Sequence, residues 1–264
     1  MNRPDDYKAM QALEGKYMDG VALVVLGGPS GKNWQQLKEE VKPDVILTAN
    51  GAAQIGADYW LLAENMHYQH LEATRMKSER AKGFMDMINA PNDAKTRLIS
   101  HRTWDLIKDR RNCIRIRRVG WEKLSDPSLR EYGDGFLYGP LFKRPDCVQP
   151  KINFHVGTVG THLLHLAGIL GCREVHTIGF DLCFREGDHH WYKHPKYEPD
   201  RFRTAQMFTT FVPDNGGPPL DTAHDMIDAA VFLNSIEWLF IRDELEWTDH
   251  SDGLLKGMGL WCAE

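Results

Sequence analysis

Long apolar runs, paired cysteines and an excess of positive charge are all missing from this sequence of 264 residues. No apolar run approaches the ~20 residues that a membrane-spanning helix needs. The five cysteines are widely spaced and form no Cys-x-x-Cys motif, which argues against a disulfide framework and a structural zinc knot. A net charge of -5 disfavours duplex nucleic acid as the main partner, although a chain with this net charge can still carry a local basic stripe.

The N-terminus is polar and shows no apolar segment of the kind found in secretory signals. Together with the cysteine pattern, this predicts a cytoplasmic protein without a membrane span, and homo-oligomers are left open. The hydrophobic share of 42% and the charged share of 26% are ordinary for a globular protein. We therefore expect a single domain over residues 1–264.

Short apolar runs alternate with helical patterns along the chain. The run from Val21 to Leu26 is continuous and rich in β-branched residues, as a strand buried on both faces requires. This alternation predicts an α/β fold with a doubly wound, mostly parallel, Rossmann-like sheet. Residues 120–150 are predicted to form a loop-rich insertion, and residues 185–219 a mobile lid. Strands are predicted at 21–26, 44–49, 58–63, 97–100, 113–119, within 172–182 and at 244–248, and helices after 32, after 157 and over 222–242.

Polar residues follow several of the predicted strands. In open parallel sheets, ligands bind outside the carboxyl ends of the strands, so we expect one shared site at that edge. An alternative stays open, because glycine, asparagine and aspartate are also ordinary turn formers. The residues in question are Gly27, Gly28, Ser30, Asn50, Asn65, Asp181 and Asp252.

Two glycine-containing loops are candidates for phosphate contacts, because each precedes a predicted helix whose N–H groups favour an anion. The first loop, residues 27–32, has neither the Walker A spacing nor the G-x-G-x-x-G spacing of dinucleotide sites. The second contains Gly157 and Gly160, with Thr158 and Thr161 as cap or ligand hydroxyls. A plain tight turn and close helix–sheet packing are the respective alternatives.

Histidines supply the candidate general bases. His224 stands at a predicted helix start near two aspartates, and a neighbouring carboxylate raises the basicity of an imidazole. His189 and His190, in the predicted lid, are the fallback, and their spacing lacks the pattern of a known zinc motif, so we predict no metal there. The alternative for His224 is a surface histidine at a helix start. The basic stretch 108–118 is predicted to be a solvated edge strand.

Several segments together resemble the MptE-like family of 6-hydroxymethylpterin pyrophosphokinase-like proteins, in particular its phage-borne branch. The segments are VVLGGPS, TANG, GTVGTHLLHLAGILG and REVHTIGFDL, with GDHHWYKHP and HSDGLL as weaker matches. The same layout is shared with bacterial sialyltransferases that use a CMP-sugar on a Rossmann-like domain. The resemblance covers residues 21–65 and 153–255.

This resemblance implies a set of roles for individual residues. Asn50 and Asn65 match asparagines that bind the nucleotide sugar, and His224 is the nearest match to the catalytic histidine. Cys183 stands where the sialyltransferases have a phosphate-binding tyrosine, so Tyr192 is the expected substitute. Gly27 replaces an asparagine of the first loop, which puts CMP-sialic acid in doubt but not a nucleotide site.

Three functional hypotheses follow. The first is a glycosyltransferase that uses a nucleotide-activated sugar, a histidine base and no metal. The second is a pyrophosphokinase of the MptE type, which would need Mg²⁺ held by carboxylates such as Asp181 or Asp252. The third is a non-catalytic nucleotide-binding module. The donor sugar, the acceptor and the oligomeric state are not predicted.

Overall fold

A computed structural model of the chain describes residues 9, 12–62, 89, 92–100, 103–116, 158–183, 208–213, 216–233 and 245–259. Within them, seven parallel strands form one sheet in the order β5-β4-β3-β2-β1-β6-β9, which confirms the predicted Rossmann-like α/β fold. The strands are β1 (Val21–Val25), β2 (Val45–Ala49), β3 (Tyr59–Leu62), β4 (Thr96–Ser100), β5 (Cys113–Ile116), β6 (Glu174–Ile178) and β9 (Glu246–Asp249).

Four helices accompany the strands in these residues: α1 (Trp34–Val41), α2 (Val159–Ile169), α3 (His224–Leu233) and the short α4 (Leu254–Gly257). Helix α1 follows a 3₁₀ turn at Pro29–Asn33, and it ends where Lys42 adopts a left-handed conformation. A second 3₁₀ turn at Asn50–Ile55 follows β2 directly. Among the described residues, no helix combines the length and the apolar character needed to cross a membrane.

The order of the strands creates a switch point beside β1. The chain adds β2, β3, β4 and β5 on one side of β1, and it then returns through α2 to place β6 on the other side. Neighbouring connections therefore leave the sheet in opposite directions at the carboxyl ends of β1 and β6. A crevice opens at this point in open α/β sheets, and this is where their ligands bind.

Both faces of the sheet are covered, which explains the continuous apolar runs of the central strands. One face, with Val24 and Leu47, packs against α2, whose residues from Gly160 to Ile169 are all buried. The opposite face, with Leu23 and Val25, packs against α1. Strand β5 stands last in the described sheet order, and its residues alternate between half-buried and buried. This pattern fits the edge strand predicted for the basic stretch 108–118.

The region after β6 corrects one prediction and adds two strands that the sequence did not predict. Strand β7 (Phe208–Phe211), within the predicted lid, pairs antiparallel with β8 (Leu220–Ala223), which begins directly after the predicted lid. Helix α3 begins at His224, because Thr222 belongs to β8 and not to the helix predicted over 222–242. The first part of the predicted lid and the predicted insertion at 120–150 lie outside the described residues, so the lid, the insertion and the single-domain assignment stay predictions.

Candidate functional site

A cleft of ≈ 180 Å³ lies at the carboxyl ends of β1, β2 and β6, which is the switch point of the sheet. Its walls come from four places in the sequence: the loop after β1, the end of β2, the start of α2 and the segment after β6. Helix α3 adds one side chain from its first turn. The lining residues are Leu26, Gly27, Gly28, Ala49, Asn50, Thr158, Val159, Gly160, Gly179, Phe180, Asp181, Leu182, Cys183 and Met226.

The loop after β1 approaches the end of β6 so closely that residue 28 has to be a glycine. The Gly28 N–H donates to the Gly179 carbonyl oxygen at 2.9 Å. A Cβ atom on Gly28 would overlap the Asp181 carboxylate and lie 2.7 Å from the Gly179 carbonyl oxygen. The backbone of Gly28 is at φ -63, a conformation open to any residue, so the requirement is one of space alone.

Ser30 and Asp181 tie this loop to β6. Asp181 is 1% exposed, and its Oδ2 accepts hydrogen bonds from the Ser30 hydroxyl at 2.7 Å and from the Ser30 N–H at 3.2 Å. The Ser30 Oγ in turn accepts from the Gly179 N–H at 3.0 Å. The hydroxyl of Ser30, predicted as a ligand contact, is thus engaged within the protein, and Ser30 is not among the lining residues.

The segment from Phe180 to Leu182 forms one wall, and hydrogen bonds from two other segments hold it. The Phe180 N–H donates to the Ser251 Oγ at 2.7 Å, the Leu254 N–H donates to the Asp181 carbonyl at 2.7 Å, and the Thr222 hydroxyl donates to the Leu182 carbonyl at 2.7 Å. Leu182 has a positive φ of 51, which is rare for a bulky side chain and stays only where the surroundings enforce it. These bonds supply that enforcement.

A second wall is the N-terminus of α2. Thr158 is the N-cap residue, but its side chain makes no capping hydrogen bond, and the first turn holds no acidic residue. The Thr161 hydroxyl and the His162 Nδ1 both bond to the Thr158 carbonyl, at 2.8 and 3.1 Å. The Thr158 Oγ1 is buried and has no hydrogen-bond partner within the described structure. The first N–H groups of this helix therefore border the cleft without a capping hydrogen bond from the Thr158 side chain.

Gly160 lets α2 come this close. A Cβ atom at residue 160 would lie 2.5 Å from the ring of Phe180 and 2.9 Å from a methyl group of Leu26. The close packing predicted as the alternative for this glycine therefore occurs, and it also places the helix terminus at the cleft. Thr161 is 2% exposed and bonds within the helix start, so it supports the wall from behind.

Asn50 lines the cleft from the end of β2. It adopts a left-handed conformation with a φ of 48, which asparagine tolerates better than most residues. Its carbonyl accepts a hydrogen bond of 2.8 Å from the Trp60 indole N–H, so the neighbouring strand β3 fixes its position. Asn50 and Gly160, from separate halves of the chain, thus border the same cavity.

The remaining predicted residues fall into two groups. His224 is the first residue of α3, two positions before Met226, which lines the cleft. Asp252 lies outside the lining residues and forms an exposed ion pair of 3.1 Å with Lys256. Asn65, Gly157, His189, His190 and Tyr192 lie outside the described residues. In the part of the chain that the structure describes, no three metal-ligating side chains cluster.

Sequence reasoning missed one buried carboxyl group behind the wall, that of Asp249. It is 2% exposed, and its Oδ1 accepts from the Thr177 hydroxyl at 2.6 Å and the Ser251 hydroxyl at 2.8 Å. Burial is the main cause that raises the pKa of Asp249 to about 7, against these hydrogen bonds. The pattern that could have revealed it is the alternation on β9, where Trp247 and Asp249 are both buried. The predicted strand 244–248 ended one residue before Asp249.

The chain matches no protein-family model and no curated protein, so the resemblance to the MptE-like family stays a prediction. Two solved structures are similar to it. The MAf glycosyltransferase from Magnetospirillum magneticum AMB-1 shares 16% identity at a TM-score of 0.49, over 95% of this chain and 37% of that one. The sialyltransferase CstII from Campylobacter jejuni shares 11% identity at a TM-score of 0.38, over 94% and 86%. This chain thus spans well under half the length of the first.

Proposed function

We propose that the cleft binds a nucleotide-activated sugar and that the chain is a glycosyltransferase. The observation that carries the proposal is the N-terminus of α2, which receives no capping hydrogen bond from the Thr158 side chain and borders a cavity at the switch point of the sheet. Helix N-termini at this position bind phosphate groups through backbone N–H groups and the helix dipole. The sequence resemblance to nucleotide-using transferases points to the same chemistry.

The two walls divide the work. The first turn of α2, with the Thr158 hydroxyl, would hold the phosphate of the donor and stabilise the charge that develops when it leaves. Asn50, which also lines the cleft, offers an amide that both donates and accepts hydrogen bonds, as sugar hydroxyls and nucleobase edges require. Gly28 lets the loop after β1 pack closely against Gly179 and Asp181, which would leave room for the donor in the cleft.

The transfer step needs a base for the acceptor hydroxyl. In our proposal His224, at the start of α3, takes that proton while the hydroxyl oxygen forms a bond to the anomeric carbon, and the bond from this carbon to the phosphate oxygen breaks. The position of Met226 in the lining supports this assignment, because it brings the first turn of α3 to the cleft. His189 and His190 are the alternative bases.

Thermal shift measurements with CMP, UDP, GDP and ATP, each with and without Mg²⁺, test the binding proposal. A nucleotide at 100 times its Kd stabilises the folded state by about 2.7 kcal/mol, which is easily detected. We expect one nucleotide to stabilise the protein without Mg²⁺. Stabilisation by ATP that requires Mg²⁺ would favour the pyrophosphokinase instead, and no stabilisation by any nucleotide would contradict a nucleotide site.

Transfer assays with variants then test the base. His224→Ala should lower turnover by ~10²–10⁴-fold and leave nucleotide binding nearly intact. Gln36→Ala is the control, because Gln36 lies exposed on α1, donates a hydrogen bond to Glu40 at 2.8 Å and is not a lining residue. If His224→Ala transfers normally and the double change of His189 and His190 does not, the base lies in the segment after β6. If neither has an effect, a histidine base is wrong.

A further inference from the structure

The buried carboxyl of Asp249 stands behind the cleft at the centre of a chain of hydrogen bonds. The Trp247 indole N–H donates to the Thr177 Oγ1 at 3.0 Å, and the Thr177 hydroxyl donates to the Asp249 Oδ1 at 2.6 Å. From the other side, the Ser251 hydroxyl donates to the same Oδ1 at 2.8 Å, and the Ser251 N–H does so at 3.3 Å.

This chain of bonds reaches the cleft in one further step. The Ser251 Oγ accepts from the Phe180 N–H at 2.7 Å, and Phe180 lines the cleft. Two residues beyond Ser251, Gly253 packs directly on the backbone of Asp181, and the Leu254 N–H donates to the Asp181 carbonyl. The segment from Asp249 to Leu254 therefore holds the wall formed by Phe180 to Leu182 in its position and orientation.

The second oxygen of this carboxyl group is in a different situation. The Asp249 Oδ2 is buried and has no hydrogen-bond partner in the described structure. No ion pair joins Asp249 to a cation among the same residues, whereas the carboxylate of Asp181, at the end of the neighbouring strand, acts on it with the same sign. The nearby imidazoles of His176 and His250 bond to each other. A buried carboxylate without a counter-charge is costly, and a proton on Oδ2 removes that cost.

We propose that Asp249 is a positioning residue of the cleft, which holds Phe180 and Asp181 in place as a neutral carboxylic acid and loosens them when it ionises. Burial, with a smaller contribution from Asp181, places the pKa of Asp249 at about 7. The change therefore falls in the neutral range. Ionisation puts a second negative charge beside Asp181 and behind a cavity that is proposed to take a phosphate, so anion binding weakens as the pH rises.

The first test uses the protein without ligand, and so it is independent of the proposed function. We expect the amide resonance of Phe180, in protein labelled with ¹⁵N-phenylalanine, to shift with pH with a midpoint near 7. In Asp249→Asn, which keeps the Oδ1 acceptor and cannot ionise, the shift should vanish. In Ser251→Ala, which breaks the connection, it should be strongly reduced.

Two results would overturn the proposal. A Phe180 resonance that does not move between pH 5.5 and about 8.5 in the unmodified protein means that Asp249 does not titrate there or does not act on the wall. A shift that persists in Asp249→Asn means that another group causes it. The first result needs no variant, so a folding defect in Asp249→Asn does not protect the proposal.

The second test addresses ligand affinity, and this part rests on the proposed function. With the nucleotide that stabilises best, we expect the Kd of the unmodified protein to rise about 5- to 10-fold relative to that of Asp249→Asn between pH 6 and 8.5. The comparison at each pH cancels the titration of the phosphate itself. Equal pH profiles would contradict the effect on affinity. Absence of binding to both proteins would contradict the proposed function and leave the Phe180 test in force.

Discussion

The two halves of the sheet are built from different kinds of residue. In the far half, strands β3 to β5, large side chains such as Trp60, Ile99 and Trp104 fill a compact apolar cluster. In the near half, around the ends of β1 and β6, glycines let the backbone segments approach so closely that a Cβ atom would overlap its neighbours, as at Gly28 and Gly160. Large side chains fill the far half, whereas the glycines of the near half shape a cleft with fixed walls. Substitutions in the far half should therefore affect stability, and substitutions at the cleft of the near half should affect binding.

The largest effect on stability is expected in the far half. Ile99 is fully buried, so Ile99→Ala should lower the free energy of unfolding by about 2–5 kcal/mol through lost contacts and a cavity. Urea denaturation measures this, and Ile99→Val, at about 0.5–1.5 kcal/mol, is the graded control. Nucleotide affinity of the folded variants should stay within about twofold, since the cluster of Ile99 does not line the cleft. A tenfold loss would abolish the distinction between the halves.

Asp249 provides the next effect, through pH. Its pKa is raised to about 7 in the folded protein, so the folded state keeps a proton that the unfolded chain loses near its ordinary value of 3.8. The free energy of unfolding should therefore fall by about 2–4 kcal/mol between about pH 4 and 7, and level off above. Denaturation curves of Asp249→Asn should lack this decrease.

A second buried group, His165, makes stability depend on pH with the opposite sign. Burial holds the pKa of His165 well below its usual value, so it destabilises the folded protein as the pH falls below about 6.5. Both proteins share this contribution, which cancels in their difference. A difference that does not change with pH would refute the titration of Asp249.

In the near half, Gly28→Ala should affect binding first. The added methyl group meets the Asp181 carboxylate and the Gly179 carbonyl, and these must move, which displaces the wall. We expect nucleotide affinity to fall at least about 10-fold, with about 1–3 kcal/mol of lost stability. Gly257→Ala is the matched control, because there the methyl group meets only side-chain atoms and no backbone: Leu220 at 3.1 Å, Pro213 at 3.5 Å and Phe211 at 3.8 Å are its three nearest neighbours. Equal affinities in the two variants would show that the loop after β1 does not shape the site.

The smallest effect on binding is expected at Asn50, where two substitutions distinguish the role of its backbone conformation from that of its side-chain amide. Asn50→Gly keeps the left-handed backbone and removes the amide, whereas Asn50→Ala removes the amide and adds a strain of about 1–2 kcal/mol. If the amide contacts the nucleotide, both variants should lose affinity by a similar factor of about 5–10, the value of one hydrogen bond. Calorimetric titration of both variants gives the affinities. A loss confined to Asn50→Ala would assign to Asn50 a purely conformational role.

The fold was accessible from the sequence because buried parallel strands leave a strong mark. The apolar runs ending at Val25, Ala49 and Leu62 predicted three strands to within a residue at their described ends. The convergence of Gly27, Asn50 and Asp181 followed from the geometry of parallel sheets, which brings distant chain segments to one edge. The strand order alone is enough to predict which chain segments meet at this edge, without knowledge of the side-chain contacts.

What the sequence could not show is how polar side chains are used within the protein. Ser30 and Asp181 were predicted as ligand contacts, and the structure adds a hydrogen bond between them, because the close approach at Gly28 brings the two loops into contact. Asp181 also lines the cleft, so its contact with a ligand stays a prediction. The hairpin of β7 and β8 was missed since its strands are four residues long and carry little pattern. Asp249 was passed over in favour of Asp252, because the pairing of β9 with β6 sets which aspartate points inward.

The central claim is that the phosphate of a nucleotide sits between the start of α2 and the loop after β1. A crystal structure of the protein with the nucleotide that stabilises it best tests this directly. We predict the phosphate within hydrogen-bond distance of the N–H groups of Val159 and Gly160, and the nucleoside or sugar moiety beside Asn50. A nucleotide bound at another edge of the sheet, with the first turn of α2 making no contact to it, would contradict the account.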